Sequence, residues 1–248
     1  MVAGEAAEVA ARQMTDPDRM QAELDDRAAF LVGLRDTTFF DVAPASTLAS
    51  DDAALAPLGL SAVARATFLA ATDALEPAQH SAATFALLRA ALEAACVTVW
   101  LLESDDPAVR ATRLLSEVWG DIRDSDRLAT ALNGALESLA AQERSWKAAH
   151  RAVFGDAEAT ARQMPTSMAT KIDAAATVVA DFTQVPNTAA VIRSSWQAFG
   201  SLARGRDAAF DLGGQSDAAH AMTAGSRSLV LDVIETAASL YHVRAVGP

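Results

Sequence analysis

The sequence predicts an all-α protein, a single-domain bundle of about six to eight helices, on three observations. About half of the 248 residues are hydrophobic, and much of that half is alanine, the strongest helix former because it loses no side-chain entropy. Only 12 glycines and 8 prolines interrupt the chain. Most of the prolines fall between segments whose apolar residues recur three and four apart, the helical period.

The elements follow in order. A first helix starts near Asp16, with Pro17 at its first position and acidic residues in its opening turns, and runs to about Arg35. Thr37 to Pro57 mixes proline, serine, threonine and aspartate and reads as a long loop, pinned to the core by Phe39 and Phe40. Ser61 caps a second helix ending near Leu75, and a third, the most hydrophobic, runs from about Pro77 to Glu103. Asp106-Pro107 supplies cap and first residue of a fourth, reaching about Arg127 or beyond. Asn133-Gly134 kinks it or separates it from a helix continuing to Ala152, which Phe154-Gly155 closes. Pro165 opens a helix over Met168 to Val179, Phe182 to Pro186 connects, and Asn187 caps a helix through Ile192, Trp196 and Phe199. Gly205, Gly213 and Gly214 mark a break before a last helix, roughly Ala221 to Val243. Residues 1–57 read as a helix and loop packed on a bundle formed by 58–248, with no clean linker between them. The core is expected to centre on the third helix, flanked by the Trp196 helix and the last one.

Composition bounds function. A net charge of −12 and a pI near 4.7 argue against a broad basic surface for phosphate backbones, so DNA binding is not expected and RNA binding is disfavoured. The single cysteine, Cys96, lies in an apolar helical run and reads as a core residue. One cysteine rules out both an intrachain disulfide and a thiolate metal site. The N-terminus lacks a basic region followed by an apolar core. No stretch reaches the roughly 18 uninterrupted apolar residues of a membrane helix, since Arg89 and Glu93 break the best candidate. The expected location is the cytoplasm. Only Lys147 and Lys171 are lysines against 18 arginines, which together with the alanine excess points to a high-GC bacterial genome.

Few residues invite chemistry. His80, His150, His220 and His242 show no HxxxH or HExxH spacing, and no metal or cofactor is expected. The acidic pairs Asp25-Asp26, Asp51-Asp52 and Asp105-Asp106 do not form two facing magnesium motifs, and the last pair reads as a helix cap. Asp121, Arg123, Asp124, Asp126 and Arg127 read as a solvated face of one-turn pairs. No phosphate-binding glycine loop or nucleophile elbow occurs. Arg89 and Glu93, one turn apart on the third helix beside Trp100, form either a functional buried ion pair or a boundary pair with its heads in water.

Two stretches carry a resemblance: Leu87-Leu-Arg-Ala-Ala-Leu-Glu-Ala-Ala with Val99-Trp-Leu-Leu, Arg110 and Arg113, and Ser195-Trp-Gln-Ala-Phe-Gly-Ser-Leu-Ala-Arg-Gly. Together they resemble a set of helical proteins from high-GC bacteria similar to the HEPN superfamily, over residues 60 to 245. The resemblance implies a HEPN-like helical core. That superfamily contains metal-independent ribonucleases and toxins as well as catalytically dead interaction domains. Its ribonucleases use an Arg-x4–6-His pair to assist attack by a ribose 2′-hydroxyl. Here Arg204 stands at the family's histidine and Gly200 where a serine is common. A guanidinium stays protonated and cannot serve as a base at neutral pH. The resemblance therefore implies a non-catalytic domain acting through a protein partner or a homo-oligomer, in a regulatory or defence setting.

Two alternatives remain. A ribonuclease could use the literal Arg144-x5-His150, although this composition yields about one such match by chance. A small-molecule pocket inside the bundle could be lined by Trp100, Trp119, Trp196 and methionine residues. Arg193, Arg204 and Arg206 could form an anion or partner site, or pair with nearby acids.

Overall fold

The computed structural model describes residues 17–75, 81–131, 137–155, 166–203 and 216–247. Among them the protein is all-helical, without strands. The nine α-helices among the described residues are α1 (Pro17–Gly33), α2 (Thr47–Ala54), α3 (Leu60–Leu75), α4 (Ser81–Leu102), α5 (Pro107–Ala131), α6 (Glu137–Phe154), α7 (Met168–Thr183), α8 (Thr188–Ala203) and α9 (Ser216–Val246). The count exceeds the expected six to eight because the supposed loop between Thr37 and Pro57 contains a helix. Ser46 caps α2 by accepting the Ala49 amide at 3.1 Å, and Leu48, Asp51 and Leu55 turn inward at helical spacing. The serine and aspartates read as loop residues are the caps and inward-facing groups of this short helix.

α4 is the axis of the fold. It packs against α3, α5, α7, α8 and α9, and every residue from Ala95 to Leu102 is buried. Eight consecutive buried residues leave no polar stripe, the pattern of a helix surrounded on all sides. Small side chains at Ala91, Ala95 and Cys96 let its neighbours approach. The window Thr84–Leu102, with a mean hydropathy of 1.8, is long and apolar enough to cross a membrane by length and composition. Arg89 and Glu93 fall within that window, and two-thirds of it is buried inside the fold.

Several of the remaining helices start or stop on legible signals. Asp106 Oδ1 accepts the Ala108 amide at 2.8 Å ahead of Pro107, the first residue of α5. Ser167 caps α7, and α6 ends on Gly155, whose φ of +70° suits a residue without a Cβ. Ser61 receives a cap rather than giving one: its amide donates to Asp52 Oδ1 at 2.9 Å and its hydroxyl to Asp52 Oδ2. The last helix is longer at both ends than its apolar face indicates. Asn133-Gly134, Pro165 and the Gly205–Gly214 break lie outside the described residues.

The N-terminal segment shares this core. Leu24, Leu31, Phe40, Leu48 and Leu55 belong to one hydrophobic cluster with α4. Phe40 packs edge-on against Phe68 and Tyr241 at 5.4 and 5.1 Å, and Phe39 stacks on Tyr241 at 6.0 Å, so both phenylalanines pin the segment as expected. Residues 25, 27, 40 and 43 meet 227, 232 with 235, 241 and 245 in the same order. The segment therefore runs parallel to α9.

Candidate functional site

Three polar clusters stand out among the described residues. The first lies between α4 and α8. Arg89 Nε donates to Glu93 Oε1 at 2.8 Å, and the Trp196 indole N–H donates to the same oxygen at 2.7 Å. The Arg89 guanidinium lies over the Trp196 ring, 5.4 Å from its centroid. Both charged side chains are about a quarter exposed, so the pair sits at a boundary and is closed by a tryptophan of the neighbouring helix. Trp100, expected beside it, belongs to another cluster.

That second cluster forms around the C-terminal end of α4, where carbonyls lack helical partners and the helix dipole is negative. Three arginines converge there. Arg113 Nη1 donates to the Trp100 carbonyl at 2.5 Å, and Arg110 Nη1 to that of Ser104 at 2.7 Å. Arg244, from α9, donates to the carbonyls of Leu102 and Ser104 at 3.2 and 3.0 Å and to Asp105. Arg110 also grips Asp51 of α2 through two parallel bonds of 2.7 and 2.9 Å. Both side chains are almost sealed, at 2% and 4% exposure. Lys171 pairs with Glu117, and its ammonium lies 5.2 Å from the Trp100 ring centre, with the Arg113 guanidinium at 5.5 Å. The cations in this cluster are held by carboxylates, carbonyls or the indole face.

The third cluster holds the histidine candidate. Along α6, Trp146, His150 and Phe154 recur one turn apart and form a ladder of rings, with centroids 5.0 and 5.1 Å apart. Trp119 of α5 packs on Trp146 at 4.6 Å. The Trp146 indole N–H donates to the Leu115 carbonyl at 2.8 Å. His150 is 8% exposed, and its Nε2 is buried without a hydrogen-bond partner among the described residues. Arg144 lies six positions earlier on the same helix, roughly 120° around it and about 9 Å along it, and is exposed. The helix does not bring this pair together.

Arg193 on α8 reaches across to α7, where its Nε donates to Asp173 Oδ1 at 2.5 Å. Arg204 and Arg206 lie outside the described residues, as does His80, so their grouping with Arg193 is not part of the described structure. His242 is exposed, and its ring stacks on Phe39 at 5.9 Å. Cys96 is buried, and desolvation pushes its thiol far above the usual range, which suits a core residue and not a nucleophile. Among the described residues no three His, Cys, Asp or Glu side chains gather as a metal site would require.

Sequence reasoning missed the second cluster. Arg110 and Arg113 stand at i and i+3 on α5, Asp51 lies 59 positions earlier, and Arg244 more than 130 later. The only local signal was an arginine pair just beyond the end of an apolar helix, where orphan carbonyls are expected. No family model, curated protein or solved structure matches this chain.

Proposed function

We propose that this chain is a non-catalytic, HEPN-like helical module that acts through protein–protein contacts, self-association included, in a regulatory or defence role in the cytoplasm. One observation carries the reading: several of the described candidate residues are taken up in packing or in ion pairs. His150 is enclosed in an aromatic ladder and turned away from Arg144. Arg193 is paired with Asp173, and Arg89 and Glu93 are closed by Trp196. Arginine at position 204 adds to this, because a guanidinium cannot take a proton from a 2′-hydroxyl at neutral pH.

The ribonuclease alternative has one specific observation in its favour, the unpartnered Nε2 of His150. Incubation of the purified protein with single-stranded and structured RNA separates the two readings. Intact RNA is expected. Cleavage that disappears in His150→Ala would overturn the non-catalytic reading. Its positive side rests on sedimentation of the purified chain and on affinity capture from its host, where self-association or a reproducible stoichiometric partner is expected. A monomer with no such partner would count against it.

A further inference from the structure

We propose that α1 is a separable clasp helix whose seat on α9 also accepts α1 of a second copy, so that two chains associate by exchanging their first helices. This rests on the reading that the chain works through protein contacts, and it names the surface and the partner.

The seat is defined by charge. Arg27 on α1 donates to Asp232 at 2.7 Å and to both oxygens of Glu235 at 2.8 and 2.9 Å. In the opposite sense, Arg227 on α9 donates to Asp25 at 2.8 Å. An acid followed by a base on α1 thus meets a base followed by two acids on α9, which fixes register and direction. The contact also has an apolar part: Leu24 and Leu31 of α1 and Leu231 and Ala238 of α9, the last two one turn to either side of Glu235, are buried members of one hydrophobic cluster. Apolar surface bared by release of α1 favours being covered again.

The fully buried part of α1 is narrow. Among its described residues only Leu24 and Leu31 are fully buried, seven positions apart on one line, while Met20 and Ala28 are partly buried against the core and the helix also touches α3. The ion pairs that flank them are partly open to solvent. A helix of 17 residues is marginal alone in water, so its order depends on docking. Its link to the fold is short. A 3-10 turn over Leu34–Asp36 and the extended Thr37 separate α1 from the anchor in which Phe39 and Phe40 pack on Phe68 and Tyr241. An element with few buried contacts, tethered next to a rigid anchor, opens before the rest of the fold. The seat it leaves is complementary to the same helix of another molecule by construction, so exchange keeps every contact and alters only the link and the concentration dependence.

Charge reversal tests this on the full-length chain. R27E sets an acid against Asp232 and Glu235, whereas D232R/E235R sets two bases against Arg27. Each substitution turns the contact within one chain repulsive. Mixed one to one, the two variants make the contact of position 27 with positions 232 and 235 attractive on exchange and repulsive within each chain, while the Arg227–Asp25 pair is the same in both arrangements. In hydrogen exchange, each variant alone should lose protection in α1 by about ten-fold while α4 keeps its own. The mixture should restore α1 protection and sediment as a species of twice the mass. Retained α4 protection reports an intact fold, and R27A provides a milder version with the same expected direction.

Unchanged α1 protection in each single variant would overturn the clasp. Lost protection that mixing does not restore, with every species monomeric, would overturn the exchange. A dimer of equal strength in wild type, in both variants and in the mixture would place self-association on another surface, overturning this inference while leaving the protein-contact reading intact. A wild type that stays monomeric at every concentration would overturn the exchange as well, and a partner protein recovered by affinity capture would then leave the protein-contact reading standing.

Discussion

The C-terminal end of α4 and the seam between α1 and α9 are built from the same chemistry, guanidinium against carboxylate and carbonyl, in opposite surroundings. At the end of α4, Arg110 and Asp51 face each other almost without solvent, at 2% and 4% exposure, and the third guanidinium nitrogen satisfies the Ser104 carbonyl. At the seam, Arg27, Asp232 and Glu235 form similar distances at 24%, 35% and 38% exposure. Distances alone would rank the two alike. Water separates them, because a buried charge has no substitute for its partner, whereas an exposed one exchanges its partner for solvent. One site ties α2, the end of α4 and α5 together through buried charge, and the other leaves its charges partly open to solvent.

The largest effect expected from breaking this comparison is at Asp51. Asp51→Ala leaves the Arg110 charge buried and should cost about 3–5 kcal/mol, read as a lower urea midpoint with an unchanged slope. Replacing both partners, Asp51→Leu with Arg110→Met, should recover most of that loss, since neither residue then carries a buried charge. A double variant as unstable as Asp51→Ala would show that the contact with Ser104, and not the pair, holds this corner.

His150 gives the next effect, with the opposite sign. Its Nε2 is buried without a described partner, and a phenylalanine of similar shape removes that unmet polar group while keeping the ring ladder between Trp146 and Phe154. His150→Phe should be neutral or up to about 1 kcal/mol more stable in thermal melts. A marked loss of stability would show that the fold depends on a polar contact of the imidazole.

At the seam the effect is small and depends on salt. Asp232→Asn with Glu235→Gln should lower global stability by no more than about 1 kcal/mol. The α1 amides should nevertheless exchange faster, and the difference from wild type should shrink at high salt as screening weakens the native pairs. An equal loss of protection in α4 would make α1 part of the global unfolding unit and erase the contrast between the two regions.

What the sequence made legible follows the same division. The all-helical class, the central position of α4 and most helix boundaries come from local signals, namely period, caps and prolines, and the structure keeps them. α2 was hidden because its capping serine and inward aspartate look like loop residues until Arg110 is placed beside Asp51. The hub of Arg110, Arg113 and Arg244 was hidden because its members are brought together by the packing of α2, α4, α5 and α9, which no spacing rule encodes. The pairing of Arg89 with Glu93 was legible from their one-turn spacing. Its third member, Trp196, is 103 positions away and was not.

The smallest effect sharpens the seam further and concerns Asp25. Burial works to raise its carboxyl pKa, but hydrogen bonds from Arg227 and Gln21 and the Arg227 charge prevail, holding it below the usual carboxylate range. A depressed folded pKa contributes stability that is present above the unfolded value, near 3.8, and is lost as pH falls through the folded value. The Asp25 contribution to α1 docking should therefore be constant from neutrality to about pH 5 and fade only in stronger acid. Asp25→Asn keeps an acceptor for Arg227 while removing the titrating charge. The difference in α1 protection between wild type and this variant, small because the carboxylate is about half exposed, should close as the pH drops below the usual aspartate range. A difference that closes already between pH 7 and 5 would mean that a group other than Asp25 controls the clasp.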